Sequence, residues 1–360
     1  MRIILGLTGS VASVLYLKLV KELQKIGTVD VILTERAKHF VGMTSLCDAL
    51  EEKNGVLYTE NDEWHWSRNG ISSNHWEKDD PVLHINLRDE ASALVIAPCS
   101  ANTLAKIANG ICDNLLTSVI RAWDKDRPLI IAPAMNTHMW NHQITNRHLF
   151  IIDSFGYKWI KPQSKVLACG TEGMGAMCEI DEIVKTLKES LRWEFPLRNC
   201  SGIPIEDHPG SFGIQRKHEQ HTGVDLYTED GETVHAMESG TVVSIEPFTG
   251  PKDNSPWWND TDCVLIEGAS GVICYGEITP SNWLKVGTHV SRGCSDIGKV
   301  KRVLHEGKER PDIMGHKPNM LHIELYPHKQ YKSSNGFEEF LRDPTPFLLA
   351  ANNRPKDVLL

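Results

Sequence analysis

Ile3-Ile4-Leu5-Gly6-Leu7-Thr8-Gly9-Ser10-Val11 decides how the first half of the chain folds. A short apolar run without polar alternation reads as a strand buried on both faces, and the Gly-Ser turn after it leads into an amphipathic stretch, Val11–Ile26. The same unit recurs downstream. Val29–Thr34, Ala93–Pro98 and Leu129–Pro133 are further β-branched or Leu-rich runs, and Thr103–Asn109, Asn114–Trp123 and Ile180–Leu191 are further helix candidates. In the last of these, Asp181-Glu182 and Lys188 suit the two ends of a helix dipole. Short buried strands alternating with amphipathic stretches from Arg2 to about Trp193 predict βαβ units around a doubly wound parallel sheet, an α/β class. The stretch Tyr58–Asp80, with Trp64, Trp66 and Trp76, reads as a long polar surface excursion.

The 360 residues are 41% hydrophobic and 24% charged, a length that carries two domains and a composition typical of folded globular chains. A net charge of -9 argues against a nucleic-acid backbone as partner, because such binding depends on clustered Lys and Arg. The apolar run behind Met1-Arg2 is too short for a signal peptide, and no later run approaches membrane length, so a cytoplasmic protein without membrane association is expected. Nine cysteines, an odd number with no CxxC pair, fit reduced thiols in that compartment.

Composition changes after residue 195. Pro196, Pro204 and Pro209, with three glycines by Gly213, mark a linker over 196–211. Gly231–Ile245, Cys263–Glu267, Val272–Tyr275 and Leu321–Tyr326 then alternate turns with β-branched residues and leave no helix between them, which predicts an all-β domain over 212–348 and a loosely held tail over 349–360.

In a parallel sheet, ligands bind beyond the carboxyl ends of the strands, and phosphates favour the N-terminus of the following helix. Thr8-Gly9-Ser10-Val11 stands at such a point but is not GxGxxG, so a single phosphate suits it better than a dinucleotide. Ala97-Pro98-Cys99-Ser100-Ala101-Asn102-Thr103 repeats the chemistry with three short hydrogen-bonding side chains. Both turns read equally as plain helix caps, and the residues alone leave the two readings open.

Taken together, Gly9-Ser10-Val11, Asp80-Pro81-Val82-Leu83-His84-Ile85, Ser100–Ala108, Cys112-Asp113-Asn114-Leu115-Leu116, Ala132–Trp140 and Leu167-Ala168-Cys169-Gly170 resemble, in order, the motifs of the phosphopantothenoylcysteine decarboxylases. These belong to the homo-oligomeric flavin-containing cysteine decarboxylases. The resemblance covers nearly all of residues 1–192. It implies a flavodoxin-like sheet and FMN held by Gly9, Ser10, Val11, Thr34, Ser100, Ala101, Asn102, Thr103 and Ala134, with active sites between subunits of a homotrimer or a higher assembly of trimers. It further implies His84 and Cys169 as catalytic residues, and Asn136, Lys165, Ala168 and Met177 against the substrate phosphopantothenoylcysteine. Two positions depart from the plant pattern: Glu35-Arg36 follow Thr34 in place of small hydroxyl residues, and Val166 stands where a basic residue precedes Leu-Ala-Cys.

The chemistry explains the residue types. Loss of CO₂ from a cysteine carboxylate leaves a carbanion with nowhere to place its charge unless the CH₂–SH beside it is first oxidised to a thioaldehyde, and flavin is the two-electron acceptor for that. The resulting enethiol must then be reduced and protonated at carbon to give 4′-phosphopantetheine, the coenzyme A precursor. A thiol can donate that proton, which is the role implied for Cys169. His84 suits proton transfer in the early steps, and the Asn136 amide suits a substrate carboxylate. His84 is expected at a strand end, and Lys161–Met177 as an irregular loop that clamps the substrate.

The second half resembles the lysostaphin-type zinc endopeptidase fold through His221-Thr222-Gly223-Val224-Asp225, Gly231–Ala236, Ser239-Gly240-Thr241-Val242 and Leu321-His322-Ile323-Glu324. The resemblance implies a zinc site of His221, Asp225 and His322. Met320 and Glu277, however, stand where the family carries its catalytic histidines, so a peptidase-like module without proteolysis is expected. Other readings remain: a peptidyl-cysteine decarboxylase, disfavoured by Cys169; a regulator of a partner phosphatase that keeps the flavin fold; and a binding protein acting through the zinc module.

Overall fold

The computed structural model describes residues 1–68, 71–166, 172–216, 220–253, 255–305, 319–329, 340–352 and 358–359. The chain divides into two compact units, Met1–Leu191 and Arg192–Leu360.

In the first unit the elements run β1 (Arg2–Leu7), α1 (Tyr16–Leu23), β2 (Thr28–Leu33), α2 (Met43–Glu51), β3 (Leu57–Thr59), α3 (Glu60–Glu63), β4 (Trp66–Arg68), β5 (Ile71–Ser73) and α4 (Leu83–Glu90). They continue as β6 (Ala93–Cys99), α5 (Ala101–Asn109), α6 (Leu115–Arg121), β7 (Leu129–Pro133), α7 (Thr137–Trp140), α8 (Gln143–Ser154), β8 (Lys158–Trp159), β9 (Gln163–Val166), β10 (Glu172–Ala176) and α9 (Ile180–Leu191). Six strands form one parallel sheet in the order β3-β2-β1-β6-β7-β8. With the short edge strand β3 set aside, the remaining five follow the flavodoxin order. β1, β6 and β7 are buried almost throughout, as strands covered by helices on both faces must be. The order reverses between β1 and β6, so the crevice beyond their carboxyl ends is where such a sheet takes a ligand.

Local signals set the helices. Ser100 caps α5 through a 3.3 Å bond from the Thr103 N–H, and Gly110, at φ 68°, ends it in the left-handed conformation. Asn114 and Thr117 form a capping box on α6. The helix expected over Val11–Ile26 is instead a 3-10 turn, Val11–Leu15, followed by α1. The expected surface excursion is structured as well: it holds α3 and the β4–β5 hairpin. Among the described residues no helix is long and apolar enough to cross a membrane.

The second unit carries β11 (Ile203–Pro204), β12 (Val224–Thr228), β13 (Thr233–His235), β14 (Gly240–Thr249), β15 (Thr261–Gly268), β16 (Val272–Pro280), β17 (His289–Val290), β18 (Asp296–Val300), β19 (Asn319–Tyr326), α10 (Thr345–Ala351) and β20 (Val358–Leu359). Its main sheet is antiparallel along β12-β19-β16-β15-β14-β17. Val224, Leu226, Ile273, Tyr275, Leu321 and Ile323 turn one face of it into a core.

Two expectations about the second unit's ends are corrected. The segment 196–211 is not a free linker: Leu197 and Ile203 are buried in the β core, and β11 pairs with β20. Nor are the described residues of 349–360 loose, because Ala351 is buried at the end of α10 and β20 pairs with β11; just before them Leu348 is buried and Phe347 stacks on Trp193 at 4.7 Å. Trp193 itself is buried in this unit, which moves the boundary from residue 195 to Leu191. Prolines and glycines marked turns here, not detachment.

Candidate active site and metal centre

A cavity of about 920 Å³ opens at the switch point of the parallel sheet, within the size range of small-molecule and cofactor sites. The cofactor residues expected from the sequence all line it: Gly9, Ser10 and Val11 after β1, Thr34 after β2, Ser100, Ala101, Asn102 and Thr103 at the start of α5, and Ala134 after β7. Asn136, Lys165 and Met177 line it too. Thr8, fully buried, holds the first two turns together. Its hydroxyl donates to the Pro98 carbonyl at 2.7 Å and accepts the Ser100 N–H at 2.8 Å. Gly9 is required sterically, since a Cβ there would lie 2.6 Å from Arg36 Cβ.

Asn136 caps α7, its side-chain oxygen accepting the His138 N–H at 2.9 Å. Lys165 bonds Glu179 at 2.6 Å on the exposed rim, and that bond holds the Glu179 carboxyl below its ordinary range. The loop expected over Lys161–Met177 contains a hairpin, β9 with β10, irregular between Met174 and Ala176. Gly173 and Gly175 let it pack closely: Cβ atoms there would lie 2.4 Å from Thr137 Oγ1 and 2.2 Å from the Met135 carbonyl. Ala168 and Cys169 lie outside the described residues.

His84 does not sit at a strand end and does not line this cavity. It stands in the first turn of α4, with Nδ1 2.5 Å from Glu63 Oε1. The cavity also takes in residues not singled out beforehand. Lys106 bonds Asp113 at 2.7 Å, and Glu60 accepts the Leu115 N–H at 2.7 Å. Lys106 and Asp113 lay inside quoted motif runs and were findable; Glu60 carried no signal.

In the second unit the β12–β19 register places Asp225 opposite His322, and the donor atoms of His221, Asp225 and His322 all lie within 4.8 Å of one another. Asp225 Oδ1 is 3.1 Å from His221 Nε2 and 2.7 Å from His322 Nδ1. Outer partners fix both rings: His221 Nδ1 is 2.7 Å from the Ser211 carbonyl, and His322 Nε2 is 3.2 Å from Glu324 Oε1. Gly223 leaves the room for this, as a Cβ there would lie 2.8 Å from His322 Nε2. Arg216 bonds the other oxygen of Asp225. Burial raises the Asp225 pKa, but the His221 and His322 imidazoles outweigh it and hold the carboxyl well below its ordinary value. Burial pulls His322 down, and its bonds to Asp225 and Glu324 push it up to about 10. Glu277 is buried with Oε2 bonded to nothing among the described residues, and burial and then the Asp225 charge push its carboxyl up to about 8.

The model of the family described as Flavoprotein matches residues 1–192. The chain belongs to the Flavoprotein family. Among curated relatives, it is 46% identical over 198 residues to a probable phosphopantothenoylcysteine decarboxylase of Arabidopsis thaliana, across 55% of this chain and 90% of the relative. It is 44% identical over 193 residues to the phosphopantothenoylcysteine decarboxylase of Mus musculus, across 53% and 87%. Among solved structures, a PPC decarboxylase variant complexed with pantothenoylaminoethenethiol is 45% identical, over 52% of this chain and 96% of that one, with a TM-score of 0.47. These relatives correspond to the first unit of this flavoprotein.

Proposed function

We propose that the first unit catalyses FMN-dependent decarboxylation of 4′-phosphopantothenoyl-cysteine to 4′-phosphopantetheine in coenzyme A synthesis. The observation that carries this reading is that one cavity gathers residues from separated motifs, Gly9–Val11, Thr34, Ser100–Thr103 and Ala134, at the crevice of a doubly wound sheet. Relatives 44–46% identical over most of their own length are named for this activity.

The residues present fit FMN. The N-terminus of α5 offers backbone N–H groups for a single phosphate, and the enforced absence of a side chain at Gly9 keeps the neighbouring turn close to Arg36. Bound there, FMN supplies a two-electron acceptor and donor. Asn136 orients the substrate carboxylate, Lys165 and Met177 bound the substrate's end of the cavity, and Ala168 is assigned to substrate contact by the resemblance alone. His84, which does not line the cavity of its own chain, moves the proton of the early step in a site shared with a second copy; Cys169 gives a proton to carbon at the last one. Val11, Leu15 and Met139 line the cavity and are exposed in the single chain, which supports a site completed by a second copy in a homotrimer. A cytoplasmic location agrees with this chemistry.

Cys169→Ser tests the assignment. It keeps FMN and releases CO₂ but accumulates the oxidised enethiol in place of 4′-phosphopantetheine, read by mass spectrometry. A normal phosphopantetheine yield removes the thiol from the mechanism.

For the second unit we propose a lysostaphin-like module that holds zinc without hydrolysing peptides. Two imidazole nitrogens and a carboxylate with fixed outer partners form a suitable donor set. Met320 and Glu277 in place of histidines leave no imidazole to run a hydrolysis.

A further inference from the structure

Helix α4 starts without a cap of its own, since its N-cap residue is Val82. The cap comes from elsewhere in the chain. Glu63, the last residue of α3, accepts the His84 backbone N–H on Oε2 at 3.1 Å, and its Oε1 lies 2.5 Å from His84 Nδ1. The Glu63 side chain is 7% exposed and that of His84 27%. Glu63 is itself held in place, because α3 carries a capping box between Thr59 and Asp62, and Glu60 beside it accepts the Leu115 N–H.

One carboxylate oxygen suffices to cap a helix; the second oxygen on the imidazole serves something else. An ionised carboxylate only accepts hydrogen bonds, so the ring proton of a neutral His84 resides on Nδ1 and leaves the Nε2 lone pair bare. Among the described residues no hydrogen bond is made to Nε2. A proton taken from substrate at Nε2 turns the ring into an imidazolium, and the carboxylate at Nδ1 offsets its charge.

We infer that Glu63 is a positioning residue for the decarboxylation: it locks the His84 ring in the Nδ1–H form and leaves Nε2 for the proton transfer. This rests on the reading of His84 as the proton-transfer group, and the experiment separates the two.

The variant is Glu63→Gln in the full-length, FMN-loaded protein. The amide oxygen still caps α4, while the amide NH₂ donates to Nδ1 and drives the ring proton onto Nε2. The kcat for CO₂ release from phosphopantothenoylcysteine falls by on the order of 100-fold or more, the range of a lost general base, while KM stays within about twofold and the FMN content is unchanged. Nitrogen-15 spectra of histidine-labelled protein show His84 switching from Nδ1–H to Nε2–H. A wild-type kcat in Glu63→Gln, beside an inactive His84→Asn, overturns the inference and spares the role of His84. Full activity in His84→Asn overturns both. A wild-type spectrum with the His84 proton on Nε2 overturns the inference without any variant.

Discussion

Replacing Thr8 with valine tests whether the two turns at the switch point act as one unit. Valine keeps the shape of threonine and opens no cavity in a fully buried position, so the hydroxyl alone is lost. Its two bonds go with it: the donation to Pro98 at 2.7 Å and the acceptance from Ser100 at 2.8 Å. Each group left unpaired away from water costs about 1–3 kcal/mol, so the pair amounts to roughly 2–6 kcal/mol. For a unit of this size that corresponds to a fall of roughly 4–24 °C in melting temperature. The Ser100 N–H also sets the start of α5, where the proposed cofactor residues Ser100–Thr103 lie, so FMN binding weakens by up to about 100-fold if the cost of the Ser100 N–H, at most about 3 kcal/mol, falls on re-forming that turn. The melt is followed by release of flavin fluorescence, and affinity by FMN titration of the apoprotein. A Thr8→Val protein with wild-type melting and wild-type FMN affinity refutes the coupling.

Two further outcomes follow from the second unit. Burial pushes the Glu238 carboxyl from its ordinary 4.5 up to about 7 against the opposing bonds from Ser270 and Trp193. A raised acid holds its proton longer when folded, so the unit is most stable below about pH 4.5 with respect to this group and loses roughly 3 kcal/mol as pH rises to 7; Glu238→Gln flattens that slope in pH-dependent denaturant melts, and an unchanged slope refutes the assignment. Elemental analysis finds about one zinc per chain in wild type and none in His221→Ala, whereas absence from both after zinc addition sinks the metal site.

The strands were legible because burial on both faces leaves an unmistakable apolar run: β7 falls at Leu129–Pro133 as expected, and β2 and β6 within a residue at each end. The cavity was legible because its residues sit in turns whose chemistry is local. Elements set by distant contacts were harder. α4 follows Pro81 and looks extended; it is a helix because Glu63, 21 residues earlier, supplies its cap. The β9–β10 hairpin escaped notice because Gly173 and Gly175, needed for close approach to Thr137 and Met135, erase any two-residue alternation. The ends of the second unit looked detachable for a related reason, since β11 and β20 stabilise each other across most of that unit's sequence.

The central claim is tested most directly by incubating the FMN-loaded chain with 4′-phosphopantothenoyl-cysteine and measuring CO₂ and 4′-phosphopantetheine in the same reaction. The account predicts a flavin spectrum near one FMN per chain, with the two products formed in equal amounts. FMN-loaded protein that releases no CO₂ from this substrate would contradict it.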